Sequence, residues 1–138
     1  QPCHLIDIMA TCLDAAGTEY PAQYEGRRLA PAEGISLLPL AEGRRLPVRP
    51  IFAEHEGNRM VRLGRWKLVA SYYNGQRWEL YDIAHDRTEQ HDLSARHPRR
   101  VARMAQLYFR WADANGVLPY PQLMNEYGGQ QMKIYNER

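Results

Sequence analysis

Cysteine is scarce in this sequence: 138 residues hold two, Cys3 and Cys12. On one helix they would lie about 13 Å apart at about 1.5 Å rise per residue, beyond disulfide reach, so a disulfide-stapled fold is excluded and both are read as free thiols. Long apolar runs are missing too, which excludes a membrane-spanning helix, and no basic-apolar-small pattern at the start marks a signal peptide. The chain opens on Gln1 without a Met and runs at once into helix-like sequence, so a piece of something longer is expected. Charge of one sign is equally sparse. Eighteen basic and 16 acidic side chains give +2 and are interspersed, so no nucleic-acid footprint follows. The longest local excess, Arg96, Arg99, Arg100 and Arg103, falls at the start of an expected helix and is read as solvated surface. No internal repeat and no low-complexity segment occurs.

What is present suits one ordinary globular domain: 44% hydrophobic and 25% charged residues, in a chain long enough to bury a core. The organising stretch is 51–83, where runs rich in Val, Ile, Leu, Trp and Tyr are broken by turn signals at Glu56-Gly57-Asn58, Leu63-Gly64-Arg65 and Asn74-Gly75. Four antiparallel strands are expected at 50–55, 58–63, 66–73 and 77–82. Trp66, Leu68 and Ala70 alternate with Lys67, Val69 and Ser71, and Trp78 and Leu80 with Glu79 and Tyr81, so one face of the meander should be covered.

Two helices flank it. Leu5, Ile6, Met9, Leu13 and Ala16 recur at helical spacing, with Gly17 placed to end the helix. Thr18 to Gly34 reads as an irregular loop, and Ser36 as an N-cap for Leu37 to Leu40, closed by Gly43. Asp86 and Glu89 stand at capping-box spacing for a single turn. Pro98 then suits the first position of a helix whose stripe is Val101, Met104, Tyr108, Trp111 and Ala112, ended by Asn115-Gly116. The fold class is α+β: a four-stranded antiparallel sheet covered by a C-terminal helix and preceded by an amphipathic helix and an irregular loop. The expected organisation is a subdomain over 1–119, with a helix at 1–17, the sheet at 48–83 and a helix at 98–116, then a tail at 120–138.

Four motifs carry a resemblance: His-Leu-Ile-Asp-Ile-Met-Ala-Thr at 4–11, Glu-Gly-Ile-Ser-Leu-Leu-Pro-Leu at 33–40, Glu-His-Glu-Gly-Asn-Arg-Met-Val-Arg-Leu-Gly-Arg-Trp-Lys-Leu-Val at 54–69, and Trp-Glu-Leu-Tyr-Asp-Ile at 78–83. In that order they resemble the C-terminal portion of type I sulfatases, the arylsulfatase family of the alkaline phosphatase superfamily. Ala10 stands where the family usually has proline. The resemblance implies a parent enzyme that uses a formylglycine made from a Cys/Ser-Xaa-Pro-Xaa-Arg motif, together with calcium. Neither that motif nor the family's metal pairs occur here, and Cys3 and Cys12 lack the following Pro and Arg. Catalytic and metal residues are therefore expected in an N-terminal domain, the implied partner. The chain alone is expected to be inactive, because the chemistry needs nucleophile and cation fixed together.

The resemblance also implies that this portion shapes the mouth of the substrate cleft. Glu54, His55, Asn58 and Arg59, crowded at a strand end and tight turn, are the candidate substrate-binding residues, His and Arg being suited to sugar hydroxyls or an anionic group. The plainer alternative pairs Glu54 with Arg59 across the hairpin and gives Gly57 and Asn58 to turn geometry. Glu54 with Glu56 as an acid-base pair would need a pocket that the sequence does not show. His85, Asp86, Glu89, His91 and Asp92 have ligand chemistry but match no metal loop, and are read as a polar connector. His4 is read as a buried or capping residue, and Tyr72, Tyr73, Trp66 and Trp78 as core before carbohydrate platform. The apolar stripe of the first helix should be exposed in the isolated chain and drive self-association. The resemblance further implies a parent exported across a bacterial inner membrane. Two alternatives stand beside this reading: a free-standing binding module for sulfated sugars, and the C-terminal part of a phosphoester hydrolase of the same superfamily.

Overall fold

The computed structural model describes residues 1–122, 124 and 125, and the chain divides into two compact units at Val48 and Arg49. In the first unit, helix α1 spans Asp7–Ala15, starting later than the apolar spacing alone predicts. The reason is local: the Asp7 carboxylate accepts the backbone N–H of His4 at 2.8 Å, fixing residues 4–6 as the entry turn. The side chain at work is that of Asp7; the His4 imidazole meets the Ile6 N–H only at 3.4 Å. Gly17, at φ +64°, ends the helix as expected.

The loop after α1 is less irregular than the sequence implies. Strands β1 (Gln23–Tyr24) and β2 (Arg27–Arg28) form a small hairpin, in which both Glu25 and Gly26 take positive φ. A Glu-Gly pair is a weaker turn signal than Asn-Gly, which is why the hairpin does not stand out in the sequence. Helix α2 spans Leu38–Ala41, preceded by Ser36, whose hydroxyl accepts the Leu38 N–H.

The first and second sulfatase-like motifs meet on this unit. Asp7 accepts the Ile35 N–H, and the Thr11 hydroxyl accepts the Leu37 N–H at 3.0 Å while donating to the Asp7 carbonyl. Gly34 passes so close that a Cβ there would sit 2.1 Å from the Ile6 carbonyl oxygen. Only a residue without a side chain lets the strap lie against the helix entry.

The second unit is the meander. Strands β3 (Pro50–His55), β4 (Asn58–Leu63), β5 (Trp66–Ala70) and β6 (Trp78–Asp82) pair antiparallel in sequence order. The first hairpin turns on Glu56-Gly57, both with positive φ, and the second on Gly64-Arg65. The third differs from expectation. Strand β5 stops at Ala70 instead of running to residue 73, because Ser71 caps a 3-10 turn over Tyr72–Asn74 and accepts the Tyr73 N–H. Asn74-Gly75 therefore belongs to a longer loop, closed by the Gln76 N–H donating to the Ser71 carbonyl, and makes no two-residue hairpin. At the far side of the sheet, Leu93 N–H donates to the Leu80 carbonyl and the Asp92 carboxylate accepts the Leu80 N–H, so the connector occupies the outer margin of β6.

Helix α3 spans Pro98–Ala114 and covers one face of the sheet. Val61, Leu68 and Leu80 are fully buried beneath Met104, Ala105, Tyr108 and Ala112, while Phe52 stacks on Trp111 at 5.1 Å and 9°. Burying each large side chain contributes on the order of 1.5–3 kcal/mol, a sizeable part of a typical net stability. Alternation along β5 runs as the sequence implies, with Leu68 and Ala70 buried and Lys67 and Val69 only partly so. Of the expected tail, residues 120–122 are helical; residue 123 and 126–138 lie outside the described residues.

Candidate functional site

The tip of the first hairpin, the loop after β5 and the C-terminal half of α3 enclose a cleft of about 350 Å³ in the second unit. Its walls are mostly apolar, built from Tyr72, Tyr108, Phe109 and Tyr120, with Glu54, Arg59 and Gln76 as polar lining residues. Strand alternation places Glu54 and Arg59 on one face as cross-strand partners. They do not spend themselves on each other. Glu54 Oε1 accepts the Gly57 N–H at 2.8 Å, while Arg59 Nη2 donates to the Gln76 carbonyl at 3.1 Å.

Arg59 is held by aromatic faces. Its guanidinium carbon lies 4.6 Å from the Trp78 centroid, with Phe109 at 5.7 Å and Tyr108 at 5.9 Å. Loss of water around the group lowers its pKa from the ordinary arginine value, with Tyr108 acting in the opposite sense. Its Nε is buried and has no hydrogen-bond partner among the described residues. Tyr108 is pushed up to about 12 by burial, with the Glu54 charge adding and Arg59 opposing. The arrangement can therefore place one fixed cation and one carboxylate at the end of an aromatic slot. Such a slot stacks the C–H face of a ring and hydrogen-bonds its polar rim.

Of the four sequence candidates, Glu54 and Arg59 line the cleft. His55 stands outside it at the hairpin tip, its side chain 84% exposed and 4.0 Å from Glu56. Asn58 is occupied with the turn, donating to the His55 carbonyl and accepting the Tyr72 N–H. Glu56 is the first turn residue and projects to solvent. The sequence reading placed Tyr108 in the helical core stripe and did not connect Gln76 or Tyr120 with the hairpin. Gln76 comes with the loop after β5, donating to the Gly57 carbonyl, and Tyr120 reaches Gly57 from beyond α3; no local pattern encodes either contact.

The connector at 85–92 engages its carboxylates with backbone N–H groups and with Lys67. Asp86 accepts the Gln90 and His91 N–H groups, which hold its carboxyl below the ordinary range. Burial alone would raise Asp92, but the N–H groups of Leu80 and Ser94 outweigh it and the net shift is downward. Glu89 pairs with Lys67. A turn does form from Asp86 to Glu89, the Glu89 N–H donating to the Asp86 carbonyl at 3.4 Å, but with Glu89 at positive φ it does not become helical, and the 3-10 turn comes later, at Ser94–Arg96. Among the described residues no three His, Cys, Asp or Glu side chains converge. Nor, among them, is any helix long and apolar enough to cross a membrane.

No family model matches the chain. Solved structures do. Ps i-CgsB matches with a TM-score of 0.66 at 23% identity, over 80% of this chain and 24% of its own. A Bacteroides thetaiotaomicron protein provisionally named a sulfatase matches at 27% identity with a TM-score of 0.55, over 78% of this chain and 24% of its own. BT4656, solved in complex with its substrate D-glucosamine-2-N,6-O-disulfate, matches at 22% identity and 0.56, over 78% and 23%. This chain is a segment of the sulfatase fold. It spans about a quarter of the length of each of these structures, in keeping with the C-terminal portion that the four motifs imply. Within the sulfatase segment, the motifs at 4–11 and 33–40 serve architecture, through Asp7, Thr11 and Gly34. The motif at 54–69 supplies the two charged residues of the cleft, Glu54 and Arg59.

Proposed function

We propose that this chain is the C-terminal subdomain of a sulfuric ester hydrolase acting on sulfated sugars, where it completes the fold and forms part of the substrate rim. The observation that carries the reading is the match of four fifths of the chain to about a quarter of sulfatase-fold structures. The sugar class is supported by BT4656 with its disulfated glucosamine, and by Ps i-CgsB solved with a neocarrahexaose. Formylglycine and calcium, held in the N-terminal part of the parent, supply nucleophile and charge neutralisation. This chain contributes binding and orientation. Arg59 and Glu54 hold polar groups of the sugar next to the scissile ester, the pair of Tyr72 and Tyr120, in contact with each other at 4.4 Å, offers a face to its ring, and His55 meets it from the hairpin tip that Asn58 braces.

The complete reading frame that carries this segment is the test. Expressed with formylglycine-generating enzyme and calcium, it should encode Cys/Ser-Xaa-Pro-Xaa-Arg upstream and hydrolyse nitrocatechol sulfate and a sulfated glucosamine. A frame without that motif, or one that turns over only p-nitrophenyl phosphate, overturns the reading and points instead to a binding module or a phosphoester hydrolase.

A further inference from the structure

Residues 94–112 contain five arginines and no carboxylate, in a chain whose charges are otherwise interspersed. The structure sorts them. Arg99, Arg103 and Arg110, with Gln106 between, follow one another at helical spacing on the exposed side of α3, opposite the buried Met104, Ala105, Tyr108 and Ala112. From Arg99 to Arg110 the row runs about 16 Å along the axis. Arg96 extends it by a turn, and with His97, Arg99 and Arg100 it lines a shallow depression of about 380 Å³.

Three basic side chains of the sheet and its connections have acidic partners: Arg65 with Asp82, Lys67 with Glu89, Arg77 with Glu79. Arg96, Arg99, Arg103 and Arg110 have no ion pair among the described residues. Arg100 is fixed differently, its guanidinium 4.0 Å from the centroid of Trp66, whose ring also meets His97 at 5.2 Å. The placement is unfavourable for the isolated helix. Arginines occupy the first turn, where the helix dipole favours acids and no side chain caps the end, and like charges repeat at four-residue spacing. A local rule broken without internal compensation marks a surface that meets something else.

We infer that this face of α3 docks a sulfated polysaccharide, holding the polymer at a distance from the ester that is cleaved. Guanidinium forks suit sulfate oxygens, and groups spaced along a helix face match charges spaced along a sugar chain. The choice of polymer rests on the proposed function above. A chain of net charge +2 with one basic row is a poor match for a nucleic-acid backbone.

The test uses the complete parent protein and its R99A/R103A/R110A variant, with R99K/R103K/R110K as a charge-keeping control. Binding of fluorescent heparin is measured beside desulfated heparin, duplex DNA and phosphatidylserine vesicles. The alanine variant should bind heparin at least about tenfold more weakly, since several charge-assisted contacts are lost. The lysine variant should keep most of the affinity, and desulfated heparin should bind neither. Melting and kcat/KM on a monosulfated sugar should be unchanged, because these side chains are exposed and outside the cleft. Heparin binding unaltered in the alanine variant, or DNA or vesicles bound as tightly as heparin, overturns the inference. Binding is read without turnover, so an inactive parent that still binds heparin through these arginines counts against the sulfatase reading alone.

Discussion

Asp7 accepts the backbone N–H of Ile35 at 3.1 Å from a position with no exposure to solvent. The same carboxylate holds the His4 N–H, so one side chain ties helix entry and strap together. Asp7→Ala should destabilise the first unit by about 2–4 kcal/mol, since it strands polar groups in the interior. Asp7→Asn should cost less because it retains an acceptor. Gly34→Ala should be damaging in its own right, by driving a methyl into the Ile6 carbonyl. Chemical denaturation of the three variants, with amide exchange read at Ile35, checks this; an Asp7→Ala protein as stable as the parent would show that the clamp is dispensable.

Arg59 gives a second prediction. Arg59→Met should lose about 1–2 kcal/mol of stability, from the guanidinium over Trp78 in a partly desolvated site. In the parent enzyme, both Arg59→Met and Arg59→Lys should raise KM with little change in kcat, the signature of a residue that binds ground state and transition state alike. Lysine keeps the charge but not the fork, so a KM restored by Arg59→Lys would mean that charge alone is read.

Much of this was legible from the residues. Strand alternation and X-Gly turns announce β3 to β6, and the stripe on α3 announces its buried face. Pro98 and Asn115-Gly116 bound that helix closely. Three features were not legible, for one shared physical reason. The end of β5 depends on Ser71 capping the turn that follows, the small β1-β2 hairpin turns on a Glu in positive φ, and the cleft depends on Tyr120 returning against Gly57. Each is decided by backbone conformation or a distant contact, which composition and periodicity do not encode. Glu54 and Arg59 could be picked out as polar groups near a turn, but their separate hydrogen bonds, to Gly57 and Gln76, required the loop after β5 to be in place.

Tyrosine ionisation offers a pH test. Tyr81 is pushed up to about 12, chiefly by burial and then by its hydrogen bond to Glu79, and Tyr108 to about 12 by burial and the charge of Glu54. Both lie above the unfolded value near 10, so the folded state prefers the neutral phenol. Their contribution is fully present below about pH 10 and disappears as the pH climbs through about 12. Denaturation midpoints should fall across that interval, and Tyr108→Phe should flatten the fall. Ultraviolet difference titration should show a tyrosine fraction ionising only near pH 12; one transition for all tyrosines, centred near pH 10, would remove the basis of this prediction.

The apolar face of α1 gives a fourth. Leu5 is 78% exposed, Met9 55% and Ile8 54%, with Ile6 also exposed, while Leu13 is half-buried. Expressed by itself, the 138-residue chain should self-associate through this face. Replacing Leu5, Ile8 and Met9 by serine should return it to a monomer. Light scattering decides the matter: a concentrated, unmodified chain that stays monomeric would count against the idea.

Asp92 and Leu93 seal one border of the four-stranded sheet, while β3 forms the other border. Extension is thereby given a direction. A strand contributed by another region of a longer protein, or by a foreign peptide, has no ladder to join beside β6 and must align along 51–55. Pro50, which offers no donor, sets where that alignment starts. Among the described residues β3 is thus the open border of the four-stranded sheet, and whatever joins it there inherits its register from the strand that ends at the hairpin tip.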